Sequence, residues 1–182
     1  MNISFDKYYL SPIQEKDAWS ICNFVAANES RLKAYFPETL EQNLTPDLAK
    51  YFAKNKVKLF ELNEEFLYLI KEQPQNNDLV GLIYLKELDW NNKRGEFAYA
   101  IGYQFEGKGI TTKAVKALSK QAFETLGLKT LEIFVHKDNL SSIYVAKKSG
   151  FTWQATVENK FKPRGRDPMD MELYELYNET KT

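Results

Sequence analysis

Gln104-Phe105-Glu106-Gly107-Lys108-Gly109-Ile110-Thr111-Thr112 decides the fold, because of what stands on each side of it. Upstream, Phe97, Tyr99 and Ile101 alternate with Glu96, Ala98 and Ala100, the period-2 pattern of a strand. Downstream, Ile110, Ala114, Val115, Leu118, Ala122 and Leu126 recur at three- and four-residue spacing, the stripe of an amphipathic helix. A glycine-bearing turn from strand to helix leaves backbone N–H groups without partners, and the positive end of the helix dipole lies beside them. Together they make a phosphate site, and glycine keeps side chains from holding the phosphate off the backbone.

Two unrelated loops use that device. From Gly102 to Lys108 the chain nearly matches the nucleotide loop GxxxxGK[ST], but the hydroxyl that should follow the lysine to hold magnesium is replaced by Gly109. The same residues fit [QR]xxGx[GA], with Gln104, Gly107 and Gly109 in register. After the helix, Leu131, Ile133 and Val135 mark another strand, followed by Asn139-Leu140-Ser141-Ser142 and Lys148-Ser149-Gly150-Phe151. This second segment resembles NxxSxxxxEKxGF, with Lys147 where glutamate is usual. The two segments, from Gly95 to Phe151, resemble the cofactor motifs of the GCN5-related N-acetyltransferases, which bind acetyl-CoA. More loosely, Asn28-Glu29-Ser30-Arg31-Leu32 with Phe36-Pro37, and Gly165-Arg166-Asp167 with Met169, Met171 and Leu173, resemble the RimJ/RimL branch, which acetylates protein N-termini.

Composition agrees with one domain over residues 1–182, since 43% hydrophobic residues can build a sizeable core in a chain of this length. A formal charge of zero gives no field to draw nucleic acid or an anionic membrane surface. No apolar run is long enough to span a membrane, and Met1-Asn2-Ile3-Ser4-Phe5-Asp6 lacks the regions of a signal peptide, so a cytoplasmic protein is expected. The single cysteine excludes an internal disulfide and a cysteine metal cluster, and no metal is expected.

The elements read in order as follows. A strand at Tyr8–Leu10 ends at Ser11-Pro12, and a helix starts near Asp17, which can cap it, with Ala18, Ile21, Cys22 and Val25 on one face. A looser helical stretch around Arg31 to Tyr35 is closed by Pro37. Thr45-Pro46 starts a helix running to about Leu62. Strands at Phe66–Ile70 and Leu79–Leu88 flank the turn-rich Pro74-Gln75-Asn76-Asn77-Asp78. The strand, loop and helix already described follow, with Gly127 in the place of a C-cap. A strand at Leu131, a helix after Asn139 and two closing strands complete the chain. The class is α/β (α+β), and the resemblance implies a mixed, mostly antiparallel sheet that splays at the acetyl-CoA site, flanked by helices.

The resemblance also implies site residues. The strand end Tyr99 to Gly102, with Ile101 central, would offer backbone groups to the pantetheine arm and one amide to the thioester oxygen. Gln104, Gly107, Lys108, Gly109, Ile110, Thr111 and Thr112 would hold the phosphates. Glu96 lies on the small-residue face with Ala98, Ala100 and Gly102, and a carboxylate there can take the proton of an amine whose pKa is near 8. Its alternative is a structural glutamate paired with a lysine such as Lys93. Many members carry tyrosine as general acid seven residues after the motif asparagine, and here that position is Ala146. Tyr144 lies roughly 200° away around the helix. Ser142 is one turn before Ala146, and either protonates the thiolate or merely contacts the cofactor. Asn139 can bond pantetheine, cap the helix, or do both.

His136 at a strand end, core-facing Cys22 and the basic string Lys160-Phe161-Lys162-Pro163-Arg164-Gly165-Arg166 have bland readings as surface, core and solvated hairpin. The expected activity is acetyl-CoA-dependent transfer to a primary amine within a ternary complex. The acceptor, a protein N-terminus or a small amine, would lie against Arg31 to Phe36 and the closing hairpin. A homodimer is compatible with the resemblance, although no sequence feature requires it. The rival readings are an acyl-CoA-binding module without turnover and a nucleotide-binding protein that needs Lys108.

Overall fold

The computed structural model describes residues 1–73, 78–163, 165 and 167–178. Its strands are β1 (Ile3–Phe5), β2 (Tyr8–Pro12), β3 (Phe66–Glu72), β4 (Leu79–Asp89), β5 (Arg94–Ile101), β6 (Thr130–Val135), β7 (Thr152–Phe161) and β8 (Met169–Tyr177). Its helices are α1 (Ala18–Ala27), α2 (Glu29–Tyr35), α3 (Pro37–Glu41), α4 (Pro46–Glu61), α5 (Ile110–Glu124) and α6 (Leu140–Lys148). The strands hydrogen-bond in the order β1-β2-β3-β4-β5-β6-β8-β7. The sheet is mixed and mostly antiparallel, as expected, with β5 and β6 running parallel. The chain divides into two compact units, one of Met1–Tyr84 with Tyr99–Ile110 and one of Leu85–Ala98 with Thr111–Thr182. No helix among the described residues is long and apolar enough to cross a membrane.

In the first unit, Phe66 to Ile70 are buried without interruption, which explains a run of apolar residues with no alternation. Thr45 caps α4 as expected, its hydroxyl accepting from the Leu48 amide at 3.3 Å, with Pro46 in the first turn. One expectation is corrected here, and two features are added to the expected order. Asp17 does not cap α1 with its side chain; its carboxylate accepts from the Gln14 amide at 2.8 Å and pairs with Lys71 at 2.8 Å. Pro37 opens α3 as well as following α2, because proline's missing N–H is harmless at the first helical position. Strand β1 was not anticipated; it pairs with β2 through a turn in which Asp6 takes φ 49°, without the glycine that usually signals such a hairpin. Pro74 to Asn77, Arg164 and Arg166 lie outside the described residues.

In the second unit, β6 alternates as its sequence does, with Leu131, Ile133 and Val135 buried. On α5, Ala114, Val115, Leu118 and Ala122 are fully buried. Each valine or leucine buried this way contributes about 1.5–3 kcal/mol. Gly127 takes φ +69°, and beyond it Leu128 returns to the core, its amide bonding the Ala122 carbonyl at 3.1 Å. The end of α6 is a Schellman motif: Phe151 N–H bonds Ala146 O, Gly150 N–H bonds Lys147 O, each at 3.1 Å, and Gly150 takes φ +95°. The motif's Gly150-Phe151 therefore has a structural reason for its spacing. Buried Phe151 meets Phe97 of β5 edge to face, with centroids 6.2 Å apart.

Candidate functional site

In the first unit, the end of β5 passes through Gly102 into a turn of 3-10 helix at Tyr103–Phe105 and then to Gly107-Lys108-Gly109. Gln104, Lys108 and both glycines are exposed, whereas Ile110 is buried and anchors the start of α5. Gly107 has φ +69° and Gly109 φ +70°, and a Cβ built on either would meet nothing within 4 Å. The glycines are therefore required first by backbone conformation, since an L side chain in this region costs about 1–2 kcal/mol. Lys108 Nζ lies 5.4 Å from the centre of the Phe105 ring.

Pairing of β5 with β6 runs from Arg94↔Thr130 to Phe97↔Ile133, while β5 itself continues to Ile101. Gly102 N–H bonds the Val80 carbonyl of β4 at 2.8 Å. Successive strand residues point their amides to opposite sides. The Ile101 amide therefore faces away from β4, on the edge that β5 extends past its last paired residue.

Three residues shape this segment: Gly81, which the sequence reading passed over, and Asn28 and Arg31, which it named only for the branch motif and the acceptor region. Gly81 lets β4 approach β5, because a Cβ there would lie 2.5 Å from the Ala100 carbonyl oxygen; a glycine inside a strand pattern was the available signal. Buried Asn28 accepts the Tyr103 amide at 3.0 Å and donates to Phe24 O at 2.8 Å. Arg31 donates to the Ile101 carbonyl at 3.4 Å and forms an ion pair with Glu106. Phe36, at the end of the expected acceptor region, stacks on Tyr84 with centroids 6.4 Å apart.

In the second unit, Glu96 is buried between two ammonium groups, Lys86 at 3.1 Å and Lys160 at 3.5 Å. Lys93, named as a partner from sequence, instead occupies the left-handed turn before β5, at φ 56°. Lys160 also lies 4.0 Å above the Phe134 ring, so this member of the basic string is held by the fold rather than simply solvated. Glu96, Glu132 and Glu175 are register partners across β5, β6 and β8 and share one face. Arg94 pairs with both Glu132 (2.5 Å) and Glu175. Burial pushes the Glu132 carboxyl up, Arg94 opposes that, and Glu175 and Glu96 add to it by like-charge repulsion.

Asn139 caps α6, its Oδ1 accepting from the Ser142 amide at 3.2 Å. The cap uses the oxygen, so the Nδ2 hydrogens are the atoms suited to a pantetheine carbonyl. Replacing Asn139 by alanine is expected to destabilise the protein by about 1 kcal/mol. Thermal unfolding checks the cap, and a weakened Kd for acetyl-CoA in the same variant would register the second role. Ala146 is fully buried and Tyr144 exposed, which places them on opposite faces and keeps Tyr144 from substituting. Ser142 is half-buried on the Ala146 side. Of the two threonines at the start of α5, Thr111 is buried and Thr112 half-exposed; Ser149 Oγ donates to the Thr112 carbonyl at 3.4 Å. His136 is half-buried rather than on the surface, its Nδ1 accepting from the Asp138 amide at 3.3 Å, and Cys22 is buried, in keeping with its reading as core.

The model of the Acetyltransferase (GNAT) domain matches residues 7–152. The chain is 29% identical to the "Putative ribosomal N-acetyltransferase YdaF" of Bacillus subtilis (strain 168) over 147 residues, 76% of this chain and 74% of that protein. It is 30% identical to spermidine N(1)-acetyltransferase of Escherichia coli (strain K12) over 91 residues, 50% of this chain and 49% of that one. Among solved structures, RimL, the ribosomal L7/L12 alpha-N-protein acetyltransferase in complex with coenzyme A, superposes with a TM-score of 0.87 at 19% identity, covering 97% of this chain and 98% of that one.

Proposed function

The chain belongs to the acetyltransferase (GNAT) domain family and is an N-acetyltransferase; on that premise we propose that it takes acetyl from acetyl-CoA and transfers it directly to a primary amine. The observation that carries the cofactor choice is the pair of left-handed glycines, Gly107 and Gly109, leading into the first turn of α5. In that turn the N–H groups lack intrahelical partners, which suits a pyrophosphate. Residues 1–182 act in this reading as one catalytic domain. Gln104, Lys108, Ile110, Thr111 and Thr112 belong to the phosphate site, and the strand end Tyr99 to Gly102 lies along the pantetheine arm.

Acetyl-CoA supplies the thioester. Amine nitrogen forms a bond to the acetyl carbon as the carbon–sulfur bond breaks. Glu96 takes the proton from the amine, directly or through water, and the Ile101 amide stabilises negative charge on the thioester oxygen. Ser142 is the candidate donor of a hydrogen bond or proton to the departing thiolate, and the Asn139 amide group holds the pantetheine. The acceptor in this reading is a protein N-terminal amine lying against Arg31 to Phe36 and the closing hairpin; the relative of greater coverage carries the name of a ribosomal N-acetyltransferase. The shorter match to a spermidine enzyme makes a polyamine the comparison substrate.

Calorimetric titration with acetyl-CoA, with magnesium-ATP in parallel, tests the root of this reading. Binding of acetyl-CoA alone in the micromolar range is expected. Preference for ATP, or binding of neither, would overturn it. Thiol release with N-terminal peptides against spermidine then identifies the acceptor.

A further inference from the structure

Glu106 puts a carboxylate immediately before Gly107, next to the backbone groups assigned to a pyrophosphate. An unneutralised anion there would repel the ligand. The structure answers that charge from α2: Arg31 forms its ion pair with Glu106 through Nη2 and reaches the Ile101 carbonyl through Nη1 at 3.4 Å. One guanidinium thus touches the end of β5 and the approach to the phosphate loop. Asn28, one turn earlier, holds the Tyr103 amide between those two points. The ion pair is partly exposed, with 40% and 44% of the two side chains accessible, so it adds little to folding stability.

We infer that Arg31 is a positioning residue for coenzyme A: it neutralises Glu106 and fixes the segment from Ile101 to Glu106 so that the loop meets the pyrophosphate ready-formed. The inference rests on the acetyl-CoA reading above. The charge part predicts opposite behaviour for the two partners, and the tether to the Ile101 carbonyl depends on Arg31 alone. Removing Arg31 leaves an anion beside the site and weakens coenzyme A. Removing the charge of Glu106 leaves the arginine, which attracts an anion, and does not weaken it.

Calorimetry with coenzyme A on four proteins tests this: the native chain, Arg31→Ala, Glu106→Gln and the double variant. Arg31→Ala is expected to raise Kd about fivefold at low salt, the scale of one partly exposed charge pair. Glu106→Gln should bind as tightly as the native chain or tighter. In the Glu106→Gln background the loss from Arg31→Ala should shrink, and added salt should shrink it in the native background. Melting temperatures should stay close to native, separating positioning from folding. Native-like affinity in Arg31→Ala overturns the inference, as does an equal loss in both backgrounds. If the native chain itself fails to bind coenzyme A, the cofactor reading fails instead, and the two failures are distinguishable.

Discussion

Glu96→Gln is expected to lower kcat by about 10²–10³-fold while leaving the Kd for acetyl-CoA unchanged, the signature of a lost general base. The amine acceptor arrives largely protonated at neutral pH, so a variant that cannot take up a proton stalls after both ligands have bound. Glutamine preserves size and one acceptor oxygen, but it removes the negative charge between Lys86 and Lys160. That loss leaves two partly exposed ammonium groups without their shared carboxylate and should cost on the order of 1 kcal/mol of stability. Single-turnover thiol release gives the chemical step, calorimetry gives binding, and thermal unfolding gives the stability cost. A stability loss with full turnover would mean that Glu96 only anchors its two lysines, and the proton would have to leave by another route. A loss of turnover with intact acetyl-CoA binding would assign the carboxylate to catalysis and remove the acyl-CoA-binding module without turnover as a rival.

What was legible in the sequence was local. The stripe of α5, the alternation of β6, the Thr45-Pro46 start of α4 and the glycine pair all report interactions between residues close in the chain. Their spacing carries the signal. Asp17 shows the limit: its type and place suited a cap, but Lys71 of β3, distant in sequence, claims the carboxylate. Glu96 shows it again, because the lysines that meet it come from β4 and β7 rather than from the adjacent turn. Strand β1 was missed because Asp6-Lys7 carries no glycine; Arg31 was placed only with the acceptor region, because nothing in a single sequence connects it to Ile101 and Glu106. The candidate site followed the same rule. Motif spacing located the loop, Asn139 and Ser142, whereas the tertiary contacts that shape the loop came only from the structure.

The second large effect is expected at the glycines, where three positions with the same backbone should fall into two opposite classes. Gly107, Gly109 and Gly127 have φ of +69°, +70° and +69°, and a Cβ on any of them meets nothing within 4 Å. Each Gly→Ala change therefore carries the same local penalty, about 1–2 kcal/mol for holding an L residue in the left-handed region. What differs is where that penalty can be relieved. Residues 106–109 are all exposed, a run long enough to relax out of the left-handed region without ligand while buried Ile110 stays in place. Binding then has to restore the strained conformation, and affinity falls: about tenfold for Gly109→Ala and about 100-fold for Gly107→Ala combined with Gly109→Ala. Gly127 has no such freedom, because it returns fully buried Leu128 to the core beneath α5. Gly127→Ala should therefore lose about 1–2 kcal/mol of stability and bind acetyl-CoA as the native chain does. Calorimetry and thermal unfolding on the three variants give a crossed pattern if the loop is a pyrophosphate cradle. If the loop variants lose stability but keep their affinity, Gly107 and Gly109 are turn residues like Gly127, and the cofactor must be held elsewhere.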